Sequence, residues 1–199
     1  SQVSGWNLSR QSGGLSALVW NLQRQVISTC PTNDNDAPSW YTHGARPEQC
    51  PPSGSWRTWL ILAGRGWGKT RTGAEWLRDQ RDTCPRMAII APTFADARDT
   101  CVEGESGLLS ICKPSEVAKW NRSIGEFEFS NGAQVKLFSG DKPARLRGPQ
   151  HYAVWFDELA AFQYIQSAWD MAMFGLRLGD NPRAVVTTTP RPLPLIKTL

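Results

Sequence analysis

The chain has 199 residues, 40% of them hydrophobic and 20% charged, which is enough for one domain with its own core in ordinary globular proportions. No apolar run reaches the roughly 18 residues of a membrane span, and residues 1–30 lack the layout of a secretory signal. The net charge of +4 suits a polyanionic partner without requiring one.

Leu15, Leu18, Val19 and Leu22 recur at helical spacing and predict a short helix over 16–27. Residues 28–55 then carry Pro31, Pro38, Pro47, Pro51 and Pro52 among Asn, Asp, Ser and Gly. This stretch is expected to run irregularly over the surface. The pattern becomes α/β at Trp56, so the chain divides into an N-terminal segment, 1–55, and a core domain, 56–199. Trp59-Leu60-Ile61-Leu62-Ala63 is a buried strand and 70–81 a helix. Met87 to Ala91 is the next strand, stopped by Pro92, and a helix follows over 94–102. Two strands, 126–129 and 134–138, flank the turn signal Asn131-Gly132. Ala153 to Phe156 is another buried strand, followed by helical pattern over 161–174. Ala184 to Thr188 is the last strand, ended by Pro190. Alternating strands and helices imply an α/β fold with a mostly parallel sheet covered on both faces. The five cysteines include no C-x-x-C pair and are read as reduced thiols of an intracellular protein. The ten tryptophans are read first as packing groups.

Three motifs carry chemistry. Ala63-Gly64-Arg65-Gly66-Trp67-Gly68-Lys69-Thr70 follows a strand and opens a helix, as a phosphate-binding loop requires. Its first glycine position is held by Ala63. The glycines allow inward-facing N–H groups, and the helix N-terminus adds positive potential. Lys69 is placed to neutralise the β- and γ-phosphates of ATP, and the Thr70 hydroxyl to ligate Mg²⁺. Gly64, Arg65, Gly66, Trp67, Gly68, Lys69, Thr70 and Arg71 form the candidate nucleotide-binding set. Second, the strand Val154-Trp155-Phe156 ends in Asp157-Glu158. Asp157 is the candidate Mg²⁺ ligand and Glu158 the candidate base for the attacking water. Third, Thr187-Thr188-Thr189 ends a strand where α/β sheets bind ligands.

With these motifs in order, the chain resembles the ATPase domain of large terminase subunits of tailed bacteriophages, the motors that package viral DNA. Further residues carry the likeness: Arg46-Pro47-Glu48-Gln49, Trp56, Trp59, Thr72-Gly73-Ala74-Glu75-Trp76, Ala91-Pro92-Thr93 and Gly104-Glu105-Ser106-Gly107. Asn131-Gly132-Ala133, Arg145-Leu146-Arg147-Gly148, Trp155 to Leu159, Gly175 to Gly179 and Thr187 to Pro192 complete it. It covers roughly 45–199. The resemblance implies a P-loop NTPase of the additional-strand, conserved-glutamate type that hydrolyses ATP with Mg²⁺ to move double-stranded DNA into a procapsid. It implies a homo-oligomeric ring at the portal protein, a small terminase subunit as partner, no membrane, and work in the host cell cytoplasm. It makes Thr187 to Thr189 the coupling motif and sets Gln49 near the adenine. Arg147, Arg145 or Arg65 becomes the arginine finger, Arg147 acting on a neighbour's ATP being favoured. No acid cluster follows the coupling motif, so an ATPase domain without a nuclease domain is expected.

Rival readings make different demands. A superfamily 2 helicase needs a second RecA-like domain. A small-molecule kinase needs a lid and an acceptor pocket. A regulatory nucleotide-binding module needs no Glu158.

Overall fold

The computed structural model describes residues 40–199 and the backbone of Leu18–Trp20. The described elements are β1 (Leu18–Trp20), α1 (Trp40–His43), β2 (Thr58–Leu62), α2 (Lys69–Asp79), β3 (Arg86–Ala91), α3 (Phe94–Asp96), α4 (Leu108–Ile111), β4 (Val117–Asn121), β5 (Glu126–Phe129), β6 (Gln134–Ser139), β7 (Ala153–Asp157), α5 (Ile165–Gly175), β8 (Arg183–Thr188) and α6 (Pro194–Thr198). A π-helical turn, Ala97–Val102, continues α3.

All eight described strands join one sheet in the order β1-β2-β8-β7-β3-β6-β5-β4. Strands β2, β8, β7, β3 and β6 are parallel to their neighbours within this block. β1 adds antiparallel at one edge, and β5 and β4 at the other. β8 stands between the strand that feeds the phosphate loop and the strand that ends in Asp157. This is the additional-strand arrangement, and the mostly parallel α/β sheet is as expected.

Period-2 alternation sorts the strand residues to the two faces. Trp59 and Ile61, Met87 and Ile89, Trp155 and Val185 pack with Ala74, Trp76 and Leu77 of α2 and with Leu108 of α4. Leu60, Ala88, Ile90, Val154, Phe156, Ala184 and Val186 face the other way, onto Ala168, Trp169 and Ala172 of α5 and Ile196 of α6. The tryptophans Trp56, Trp59, Trp76, Trp155 and Trp169 are core residues, so the packing reading holds for them. At the hairpin, Gly132 takes φ +87° and Asn131 accepts a bond from the Ala133 N–H, as an Asx turn demands.

Three expectations are corrected. Leu18–Trp20 are strand, not helix; the rest of the segment 16–27 lies outside the described residues. These residues pair antiparallel with Leu60–Leu62, where ladder bonds to an open sheet edge outweigh a weak helical periodicity. Cys50 is disulfide-bonded, so the five cysteines are not all reduced; Cys84, Cys101 and Cys112 are free. Residues 40–55 do not merely cover the surface, since Tyr41 and Gln49 are buried. The helices α1, α4 and α6 span too few residues to leave a periodic signal, and β4 is a sheet-edge strand with no buried residue to give an apolar pattern.

Gly73 of α2 sits directly on Trp155. A Cβ there would lie 2.1 Å from the indole Cε2, and Trp155 is fully buried with no room to yield. Gly73→Ala is expected to destabilise the fold by about 1–3 kcal/mol, the usual cost of overpacking. Urea unfolding checks this; an unchanged midpoint contradicts the tight helix–sheet contact.

Candidate active site

The phosphate loop joins β2 to α2. Gly66 and Gly68 adopt φ +75° and +91°, a region open to glycine and costly for other residues. Gly68 also has a neighbour, since a Cβ would stand 3.0 Å from Gln49 Nε2. Ala63, the departure from the motif, needs no such freedom. It is buried with ordinary φ, and its N–H donates to Thr188 O at 3.1 Å as an extension of the sheet.

Lys69 donates from Nζ to the carbonyls of Ala63 (2.9 Å) and Gly64 (3.1 Å), and stands 3.8 Å from the Glu158 carboxylate. The outer wall of the loop is braced by the segment before β2. The Arg46 guanidinium lies 5.1 Å from the Trp67 ring centroid and donates to the Trp67 carbonyl. Gln49 accepts from the Arg46 N–H (3.1 Å) and donates to Thr72 Oγ1 (2.9 Å), which donates to Gly68 O (2.9 Å). Gln49 thus lies beneath the loop. The sequence names Arg46 only within the resemblance-bearing segment Arg46–Gln49; its bracing role is set by the fold. Arg71 lines the cleft but is paired with Glu75 at 2.7 Å.

Asp157 ends β7 opposite Thr187 of β8, and alternation turns both toward α2. Thr187 Oγ1 donates to Asp157 Oδ1 at 2.8 Å and accepts from Trp155 Nε1 at 2.8 Å. Asp157 is only 7% exposed. Burial pushes its carboxyl up to about 6, with the neighbouring Glu158 adding to the rise; bonds from Thr187 and Cys101 and the charge of Lys69 oppose it. The buried Cys101 thiol is itself held well above its ordinary value by burial and by Asp157. Cys101 is a further neighbour that the sequence did not reveal.

Glu158 is the only non-glycine described residue with positive φ, at +51°. Such a backbone costs about 1–3 kcal/mol and persists where its surroundings hold it. Here the carboxylate accepts from the Thr189 N–H at 3.0 Å and from the Thr189 hydroxyl, with Lys69 beyond. Strand alternation would send Glu158 to the face opposite Asp157; the left-handed turn instead brings it to the same cleft, beside Lys69 and Thr189. The three threonines divide. Thr187 holds Asp157, Thr188 Oγ1 accepts from the Ala160 N–H at 2.9 Å, and Thr189 holds Glu158.

These groups meet in a cleft of about 750 Å³, walled by residues Gly64 to Arg71, by Asp157 and Glu158, and opposite them by Asp96, Asp99, Thr100, Glu105 and Ser106. That far wall is assigned no chemical role by any motif in the sequence, although Glu105 and Ser106 carry part of the family likeness. It comes from the π-helical turn and the loop after it, and π-turns often mark functional sites. Arg65 is exposed at the rim. Arg145 and Arg147, in and after the 3₁₀ turn Pro143–Leu146, are exposed and do not line the cleft. The Thr70 hydroxyl and Asp157 carboxylate face one space. Both are oxygen donors of the kind Mg²⁺ takes, so the residues present fit that ion.

The model of a family described as "Terminase large subunit, T4likevirus-type, N-terminal" matches residues 60–199, more than half of the chain. The chain belongs to this terminase family. No curated protein matches it. Among solved structures it is similar to the large terminase of a thermophilic bacteriophage in complex with ADP, with TM-score 0.55 and 17% identity over 66% of this chain and 33% of that one. It is also similar to an arginine-to-alanine mutant of the large-terminase ATPase domain from a Thermus phage, with TM-score 0.51 and 17% identity over 71% and 62%. This terminase chain thus spans about a third of the first relative's length. At these identities the likeness concerns the fold, and the catalytic reading of the terminase site rests on its own geometry.

Proposed function

We propose that this chain is the ATP-hydrolysing motor domain of a terminase large subunit, powering translocation of double-stranded DNA into a procapsid. The observation that carries the reading is Glu158, held in a left-handed turn between the phosphate-loop Lys69 and Thr189, directly after β8. A carboxylate so placed can answer to the phosphate at one side and to β8 at the other. The ADP complex of the bacteriophage relative supports a nucleotide in the same fold.

In this reading the loop N–H groups and Lys69 bind the β- and γ-phosphates, Lys69 leaving the Ala63 and Gly64 carbonyls to do so. Thr70 and Asp157 would hold Mg²⁺, which when bound would neutralise charge on the phosphates. Glu158 orients a water and takes its proton as the water oxygen attacks the γ-phosphorus and the bridging oxygen departs with ADP. Moving onto that water means releasing Thr189, and this is how hydrolysis would reach β8 through Thr187, Thr188 and Thr189. Gln49, bonded to Thr72 behind the loop, would lie near the adenine. Arg147, with Arg145 second, is exposed and free to meet a neighbouring subunit's ATP in a homo-oligomeric ring; Arg65 is the candidate within one chain. The portal protein, the small terminase subunit and assembly in the host cytoplasm follow from the same reading. None of the described helices is long and apolar enough to cross a membrane. No observation favours the helicase alternative.

The test is Mg²⁺-dependent ATP hydrolysis against protein concentration. Activity per molecule that rises with concentration and vanishes in Glu158→Gln is expected. A rate per molecule independent of concentration places the finger in cis, at Arg65. Full hydrolysis by Glu158→Gln sinks the catalytic assignment.

A further inference from the structure

We propose that Trp155 is a positioning residue for the metal-side carboxylate: its indole N–H orients the Thr187 hydroxyl so that Thr187 donates to Asp157. The proposal rests on the nucleotide and Mg²⁺ reading above.

A threonine hydroxyl has one proton and two lone pairs. Trp155 Nε1 donates to Thr187 Oγ1 at 2.8 Å, so the proton of that hydroxyl must point elsewhere. Two acceptors stand within reach: Asp157 Oδ1 at 2.8 Å and the Phe156 carbonyl at 3.2 Å. The shorter bond goes to the carboxylate. An indole can only donate, so Trp155 fixes the direction of the whole chain, from Trp155 through Thr187 to Asp157. Without it the hydroxyl is free to turn, and Asp157 loses a constraint on its rotamer.

Buried indoles in this core are not automatically satisfied. Trp59 is also fully buried, and its Nε1 has no hydrogen-bond partner. The bond from Trp155 is therefore a particular feature of its place. That place is set by α2: the backbone at Gly73 presses on the indole, and a Cβ there would come within 2.4 Å of Nε1. α2 begins at Lys69 and Thr70. The relay thus links the helix that carries the phosphate-binding groups, the strand that carries the acids and the strand that carries the coupling threonines. Groups behind a metal ligand hold it in the binding orientation, and losing one costs about 10–100-fold in metal affinity. Trp155 acts one group further back, so the lower end is expected.

The measurement is the affinity of a fluorescent ADP analogue in EDTA and across a Mg²⁺ titration. Trp155→Phe is expected to raise the Mg²⁺ concentration for half-maximal tightening about tenfold while leaving affinity in EDTA unchanged. Thr187→Val is expected to do the same, and Thr187→Ser to keep the wild-type midpoint. The double variant Trp155→Phe/Thr187→Val is expected to be no worse than either single one, because both break one chain. A wild-type midpoint in Trp155→Phe overturns the relay. So does an equal loss with and without Mg²⁺, which marks a packing effect, and so do additive effects in the double variant. If Trp155→Phe does not fold, the two Thr187 variants decide: a wild-type midpoint in Thr187→Val overturns it. A wild-type chain with no Mg²⁺-dependent tightening overturns the nucleotide–metal reading instead, and the relay with it.

Discussion

Glu158→Gln is expected to lower kcat for ATP hydrolysis by about 10²–10⁴-fold, the usual worth of a positioned general base. At about 1.4 kcal/mol per tenfold, that is roughly 3–5 kcal/mol of barrier. The substitution keeps shape. A glutamine oxygen still accepts from the Thr189 N–H and hydroxyl, so the left-handed turn at φ +51° retains its holders. What is lost is the charge facing Lys69 at 3.8 Å and the capacity to take a proton from water. Lys69 remains free for the phosphates, so nucleotide affinity is expected to stay within a few-fold. Steady-state kinetics beside binding of a fluorescent ADP analogue separate the two effects. A kcat within threefold of wild type means that another group is the base.

Asp157→Asn is expected to raise stability and abolish Mg²⁺-dependent activity together. The folded-state pKa of Asp157 is about 6, above its ordinary 3.8, because burial disfavours the charged form. The folded protein therefore holds the proton more tightly than the unfolded chain. Above pH 6 the folded state carries the full cost of a buried carboxylate. The cost shrinks as pH falls from 6 toward 3.8 and is absent below that. A shift of this size corresponds to about 1–3 kcal/mol. Asparagine removes the charge but can still accept from Thr187. Without Mg²⁺, its melting temperature is expected to exceed wild type at pH 8 and the difference to close near pH 4. Activity goes the other way, since the candidate ion loses its only buried carboxylate. A variant less stable than wild type at pH 8 would show that Asp157 is not held at a cost in the folded state. A gain in stability with loss of function is the common signature of a site that is strained for its task.

The two acids show what was legible in the sequence and what was not. Asp157 and Glu158 are adjacent, so the sequence could name them as a pair and, from the apolar strand before them, place them at a strand's C-terminal end. It could not show that both would reach one cleft, since strand alternation sends neighbours to opposite faces. That depended on Glu158 leaving the strand through a left-handed turn, which nothing local in an Asp-Glu dipeptide demands; Thr189, 31 residues away, helps hold it. The threonine run was equally readable as the end of a strand. Its division of labour required the register that sets Thr187 opposite Asp157.

The sequence by itself determined the parts whose causes are local. Glycines at 64, 66 and 68 with Lys69 and Thr70 specify a phosphate loop, because backbone freedom and a helix N-terminus act within a few residues. Apolar runs specify the buried parallel strands, and Asn131-Gly132 specifies the hairpin, for the same reason. Tertiary structure alone decided the rest. It inserted β8 between β2 and β7, drew Arg46 and Gln49 onto the loop from a segment that reads as irregular, and turned Leu18–Trp20 into an edge strand. It also set Gly73 against Trp155. These are meetings of groups far apart in the chain, fixed by which hydrophobic faces and open ladder groups can be satisfied together, and that is a property of the packed sheet rather than of any stretch within it.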